Sequence, residues 1–235
     1  MSLVSQLFPR VRVMKMHYTS TRPYVLNGYT LVCPFAQELR INDIYDPLTN
    51  ITGWDNVSAT MYTLMASQYG RYVVLGSKAV FTIRQASQMN VQDMKASGIY
   101  TPNIAESLYS SLPTPTIRFG LILDNDRTYT GKSTYTDFIG SKFHKFKDVT
   151  MSHYLRTKCV LSIGYSPKKY FGLPSSDLDV GAAINASPAK ICNATVYCQE
   201  LSQSLNISTQ YIVTAEIFYT VKFMDPKDYQ LGQGR

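Results

Sequence analysis

Apolar and polar residues alternate with a period of two along most of this chain, in runs bounded by Gly, Pro, Asn and Asp, which predicts half-buried β-strands. The clearest run is C-terminal. Tyr211, Val213, Ala215, Ile217, Tyr219, Val221 and Phe223 share one face, and Thr214, Glu216, Thr220 and Lys222 lie on the other with Ile212, Phe218 and Met224. It stops at Asp225-Pro226, because proline has no N–H to continue a ladder. Pro9 to Thr19 predicts a second strand, with polar positions Arg10 and Arg12 and then Lys15, His17 and Thr19. The phase changes between Val13 and Met14, so a bulge or sharp bend is expected there.

Further strands are predicted over Arg71 to Arg84, with a bend at Gly76, over Thr116 to Asp124, Thr157 to Tyr165 and Lys190 to Gln199, and more weakly over Tyr29 to Leu39. Helical signals are short. Ser58 or Thr60 is the expected cap of a helix carrying Met61, Leu64, Met65 and Gln68, and Asn103 of one carrying Ile104, Leu108 and Leu112. Thr134 to Phe146 reads equally as helix or strand. Many strands with long connections and no βαβ rhythm predict one all-β domain over residues 1–235. The expected fold is a single antiparallel jelly-roll β-sandwich of eight strands, with long loops and short helical insertions, in which the first and last strands pair.

Composition narrows this little. At 235 residues and 45% hydrophobic, the chain suffices for a sizeable core, and its 18 Tyr suit either strands or interfaces. The net charge of +7 favours anionic partners without naming one, although the N-terminal stretch has Arg10, Arg12, Lys15 and Arg22 before its first acid, Glu38. No signal-peptide core or membrane-length apolar run appears, so no membrane partner is expected. The Asn-x-Ser/Thr triplets at Asn50, Asn56, Asn185, Asn193 and Asn206 are then read as Asn-rich loops. Of the four cysteines, Cys33, Cys159, Cys192 and Cys198, Cys159 sits in an apolar alternation and reads as a small core residue; Cys192 and Cys198 could pair if oxidised, although their spacing does not by itself point to a disulfide.

Catalytic patterns are scarce. The three histidines, His17, His144 and His153, have no metal-ligand spacing, and no cofactor or metal is expected. Gly131-Lys132-Ser133-Thr134 lacks the first glycine of a phosphate-binding loop, having Asp126 in that place. Asp124, Asn125 and Asp126 read as a turn, with an oxygen-ligated cation site as the alternative. Two basic-aromatic runs, 142–147 and 168–171, are either solvated loop faces with buried rings or contacts for nucleic acid.

Several ordered motifs carry a family resemblance. They are Phe8 to Val13 followed by Tyr18-Thr19; Leu39 to Pro47, an N-x-x-x-D-P segment; and Tyr69 to Lys78, a Y-x-R-Y-x-V-L-G-S-K strand. Phe119 to Leu121, Tyr165 to Gly172 and Tyr219 to Pro226 complete the order. In this sequence they resemble the capsid proteins of small circular single-stranded DNA viruses with a replication-initiator gene, including circoviruses. The resemblance spans nearly the whole chain. It implies a jelly roll that self-assembles into a small icosahedral shell, T=1 in size, around a circular single-stranded DNA genome. The implied setting is the virion, with assembly in the host nucleus or cytoplasm and an unnamed host receptor. The first, last and Y-x-R-Y-x-V-L-G-S-K strands would share the inner sheet, making Arg10, Arg12, Lys15, Lys78, Arg84 and Lys222 the candidate genome contacts. The family's long Arg-rich arm is not found ahead of Phe8 in this sequence.

Two other functions compete with a structural coat. A lectin-like binding or attachment module would use its aromatics to line a groove. An enzyme on a jelly-roll scaffold would need a histidine-carboxylate cluster, which the sequence does not display. The segments Met89 to Pro115 and Phe171 to Pro188 are the expected subunit contacts and outer surface.

Overall fold

The computed structural model describes residues 9–27, 35–48, 58–87, 116–124, 138–139, 143–151, 157–201 and 208–227. In chain order these form β1 (Val11–Asn27), β2 (Phe35–Arg40), α1 (Tyr62–Gln68), β3 (Tyr69–Ser87), β4 (Thr116–Asp124), β5 (His144–Thr150), β6 (Lys158–Tyr165), α2 (Pro167–Tyr170), β7 (Gly181–Ala183), β8 (Asn193–Glu200) and β9 (Ser208–Pro226). One sheet has the order β1-β9-β3-β6, with β7 also on β3; the other has the order β2-β8-β4-β5. Every pair is antiparallel. The first strand pairs with the last and most connections cross between sheets, which is the jelly-roll winding. Among the described residues eight strands build the two sheets, the number expected of the jelly roll; the alternation identifies seven of them, β5 begins in the segment that read equally as helix or strand, and three-residue β7 is the addition.

The periodicity explains the core. Tyr211, Val213, Ala215, Ile217, Tyr219, Val221 and Phe223 of β9 are each at most 1% exposed. They face the inner rows of the other sheet, including Ile117, Phe119 and Leu121 of β4 and Ala194, Val196 and Cys198 of β8. Cys159, Cys192 and Cys198 are buried free thiols, and burial raises the first two above the ordinary thiol range. Tyr69, Tyr72, Tyr197, Tyr211 and Tyr219 are among the largest fully buried side chains, so much of the tyrosine serves the core. Asn193 is only 1% exposed inside β8, which leaves no room for a glycan.

The N-x-x-x-D-P segment closes one end of the sandwich. Asn42 donates from Nδ2 to the Lys190 carbonyl at 2.7 Å and accepts from the Cys192 N–H at 2.8 Å. The fully buried Asp43 carboxylate accepts from the Tyr72 hydroxyl at 2.8 Å and from the N–H groups of Tyr45 and Asp46 at 3.0 and 3.2 Å. Arg40 Nη1 reaches Asp46 at 2.9 Å and Asp43 at 3.5 Å, and donates to Ser187 Oγ at 3.1 Å. Tyr219 donates to the Asp43 carbonyl at 3.2 Å. The motif therefore ties the turn after β2 to β3, β9 and the 184–192 segment. Burial, with the neighbouring Asp43, pushes Tyr72 and Tyr219 upward, so both stay neutral donors.

Several expectations need correction. No bulge interrupts β1, whose pairing with β9 runs in register from Val11 to Asn27. The irregularities lie in β3, between Val74 and Gly76, where the bend was expected, and between Gln85 and Ser87. Helix α1 has no side-chain cap: Met61 sits at the N-cap with φ 65, Ser58 Oγ instead donates to the Tyr45 carbonyl, and the Thr60 N–H to the His17 carbonyl. Its buried side chains are Tyr62 and Met65, while Met61 and Leu64 are exposed. Phe171 to Pro188 is not simply an outer loop, since Val180, Ala182 and Ile184 are buried and β7 extends the sheet. The predicted helix after Asn103, the 89–115 segment, Gly131 to Thr134, and Asn125 with Asp126 lie outside the described residues.

Candidate nucleic-acid interface

The two sheets differ on the sides turned away from the shared core. On the four-stranded sheet that side is covered over β8 and the adjoining part of β4, where every residue of β8 is buried and Ile122, Phe138 and Tyr197 form a second apolar cluster, while on β5 Phe146 is 44% exposed. Phe138 stacks on Tyr197 with centroids 4.5 Å apart. The equivalent side of the five-stranded sheet carries most of the exposed candidates.

Pairing register arranges that side in rows. One row runs Val11, Met224, Arg71, and the next Val13, Lys222, Val73. Then come Lys15, Thr220, Gly76, followed by His17, Phe218, Lys78, Gly164. Thr19, Glu216, Val80, Ser162 and then Thr21, Thr214, Thr82, Val160 follow. The last row is Pro23, Ile212, Arg84, Lys158. Alternate residues point to opposite sides of a strand, so these rows share one face. The face carries six Lys and Arg residues, at 15, 71, 78, 84, 158 and 222, against one acid, Glu216. None of the six forms an ion pair among the described residues. Arg84 and Lys158 are directly opposite like charges, an arrangement that favours an anion between them.

Lys15, Lys78 and Arg84 are exposed on this face, and Lys222 is half-buried on it. Arg10 and Arg12 are exposed too, but they do not join the others. With β1 unbroken, Arg12 has the parity of core-facing Met16 and Tyr18, so it projects on the side opposite Lys15. Arg71 and Lys158 were absent from the sequence candidates. Lys158 was legible as the polar flank of the Cys159 alternation, whereas Arg71 depended on the register shift at Gly76.

The middle of the face is concave. Lys15, His17, Met61, Gly76, Lys78 and Phe218 help line a recess of about 630 Å³. Phe218 is 47% exposed and stacks on His17, with centroids 4.6 Å apart and rings inclined by 17°. His17 Nε2 lies 3.7 Å from Glu216 Oε1.

Within the basic-aromatic runs several residues have structural roles, while Lys168 and Lys169 are exposed. Lys145 and Lys147, on the edge strand β5, donate to the Ser162 and Val160 carbonyls of the neighbouring edge strand β6, at 3.0 and 3.5 Å. They blunt an otherwise open edge. Phe143, Tyr170 and Phe171 pack on the main core. Among the described residues no group of three His, Cys, Asp or Glu side chains is placed to hold a metal.

No protein-family model matches the chain, and no curated protein matches it. The solved structures that match are similar to it at low identity. One is the 60-mer BFDV capsid protein, with a TM-score of 0.43, 13% identity, and coverage of 94% of this chain and 98% of that one. Turnip yellow mosaic virus gives a TM-score of 0.43 and 12% identity over 95% of this chain and 86% of that chain. Desmodium yellow mottle tymovirus gives 0.42 and 10% identity over 94% and 92%. The jelly-roll assignment rests on the strand order itself.

Proposed function

We propose that the chain is the structural unit of a small icosahedral shell, T=1 in size, which encloses a circular single-stranded DNA genome with the open face of the five-stranded sheet turned inward. The observation that carries this reading is that face: six Lys and Arg residues, none with an ion-pair partner among the described residues, opposed by Glu216 alone. Phosphates supply the missing counter-charge and release condensed cations on binding. The motif resemblance supplies the shell. In this reading the chain is no enzyme, works in the virion, assembles with copies of itself in the host nucleus or cytoplasm, and needs neither cofactor nor membrane.

The test is the nucleic-acid content of purified particles. Replacing Lys78, Arg84 and Lys158 together by Glu should lower the ratio of nucleic-acid to protein absorbance while particles still form. An unchanged ratio in intact particles would remove this face from the genome contact. A second reading, a lectin-like binding or attachment module, is favoured by the 630 Å³ recess beside Phe218, which also has the form of a small-ligand site.

A further inference from the structure

Phe218 is an aromatic ring half-exposed in the middle of a basic face, where burial does not account for it. One side of the ring is taken by His17. The row order places Lys78 of β3 beyond its other side, and neighbouring Gly76 has no side chain to fill the space. Lys15 lies one row away on β1, and Thr60 and Met61 stand at the rim. The exposed ring and the ammonium groups of Lys15 and Lys78 thus border one recess.

Farther along the same face, Arg84 and Lys158 form the like-charged pair. Lys78 and Arg84 are six residues apart on one strand, about 20 Å at ~3.4 Å per residue. The rows between them present Thr19, Thr21, Thr82, Thr214 and Ser162, short hydroxyl side chains that donate to phosphate or sugar oxygens without blocking a chain. Glu216 is the one anion in that stretch.

We propose that this face holds a single strand along a defined track, with one unpaired base stacked on Phe218, flanking phosphates on Lys15 and Lys78, and a later phosphate on the Arg84–Lys158 pair. The proposal rests on the inward-facing reading of this sheet and adds to it a stacking site, a direction and a footprint. At ~3.4 Å per stacked nucleotide the track holds about six nucleotides, and fewer if the strand is extended. Duplex DNA is a poor ligand because its bases are already stacked. The platform is indifferent to sequence, since every base has a π-face.

The experiment is fluorescence anisotropy with labelled oligothymidylates of four to twelve residues and a matched duplex, using the full chain below its assembly concentration across a salt series. Phe218→Ala should weaken single-strand binding about tenfold or more, leave the salt slope unchanged, and be rescued by Phe218→Tyr. Arg84→Gln with Lys158→Gln should instead flatten the salt slope by about one. Glu216→Gln should tighten binding, and affinity should stop rising beyond about six nucleotides. Circular dichroism keeps misfolding apart from lost contacts. If Phe218→Ala binds like the wild type, or duplex binds as well as single strand, the stacking site is refuted while the charged face stands. If no variant changes binding, the face itself is refuted, and particle mass reports independently whether a shell forms.

Discussion

Removing the Asp43 carboxylate is predicted to loosen the end of the sandwich where the turn after β2 meets β3 and β9. The carboxylate is fully buried and accepts three hydrogen bonds, from the Tyr72 hydroxyl and the N–H groups of Tyr45 and Asp46, with Arg40 at 3.5 Å. Asp43→Ala leaves the two backbone donors without their acceptor. Tyr72 can redirect its one proton to the Ala186 carbonyl at 3.0 Å, and Arg40 retains Asp46 and Ser187, so the loss is less than the sum of the contacts. An unsatisfied buried donor costs about 1–3 kcal/mol, and breaking a buried charge pair about 3–5 kcal/mol. Asp43→Ala should therefore cost about 3–5 kcal/mol, a large part of a typical domain's stability of roughly 5–15 kcal/mol. Asp43→Asn keeps one acceptor oxygen but turns an amide toward Arg40, and should cost about 1–3 kcal/mol. For a chain of this size that lowers Tm by about 2–12 °C. Urea unfolding followed by far-ultraviolet circular dichroism measures both. Midpoints equal to wild type for both variants would refute the clamp.

Other consequences follow from the four-stranded sheet. A Cβ on Gly120 would lie 2.0 Å from the Tyr197 ring, so Gly120→Ala should expel that ring and cost about 3 kcal/mol, read as a lower thermal midpoint. Burial, with a smaller contribution from Arg118, lowers His144 below its ordinary 6.5, and its Nε2 shares a 2.6 Å hydrogen bond with the Tyr197 hydroxyl. In the window between that lowered value and 6.5 the unfolded chain binds the extra proton, so stability should fall as pH drops through it. His144→Gln should flatten this part of a urea-midpoint series against pH. Lys145 and Lys147 are occupied by β6 carbonyls, so replacing both by Met should leave oligothymidylate affinity and its salt slope unchanged; a flatter slope would place them on the genome.

The fold was legible because period-two alternation reports which side of a strand is buried, and β9 and β6 show it without interruption. Phase changes were harder to interpret. The change at Val13 and Met14 marks no bulge: Val13 is an apolar residue on the open face, 55% exposed, and Arg12 lies where β1 keeps core parity yet stays exposed. Local alternation cannot distinguish a slipped strand from a regular strand with two unusual residues. Lys78, Arg84 and Lys222 could be assigned to one face from their own strands, but the opposition of Arg84 and Lys158 depends on a pairing between distant segments. The same holds for Phe218 and His17, which are neighbours only because the first and last strands pair. The cap of α1 failed because the Ser58 hydroxyl is engaged by the Tyr45 carbonyl and the N-cap falls at Met61, past Thr60, whose N–H is held by the His17 carbonyl, contacts that no helix-end pattern encodes.

The most direct test of the central claim is the mass of the purified full chain by light scattering on a size-exclusion column, with the nucleic-acid to protein absorbance ratio recorded across the peak. A megadalton peak with a high ratio that falls on washing with strong salt is the predicted result. A monomer or small oligomer that persists across salt and pH would contradict the shell and leave the recess beside Phe218 as the ligand site of a binding module.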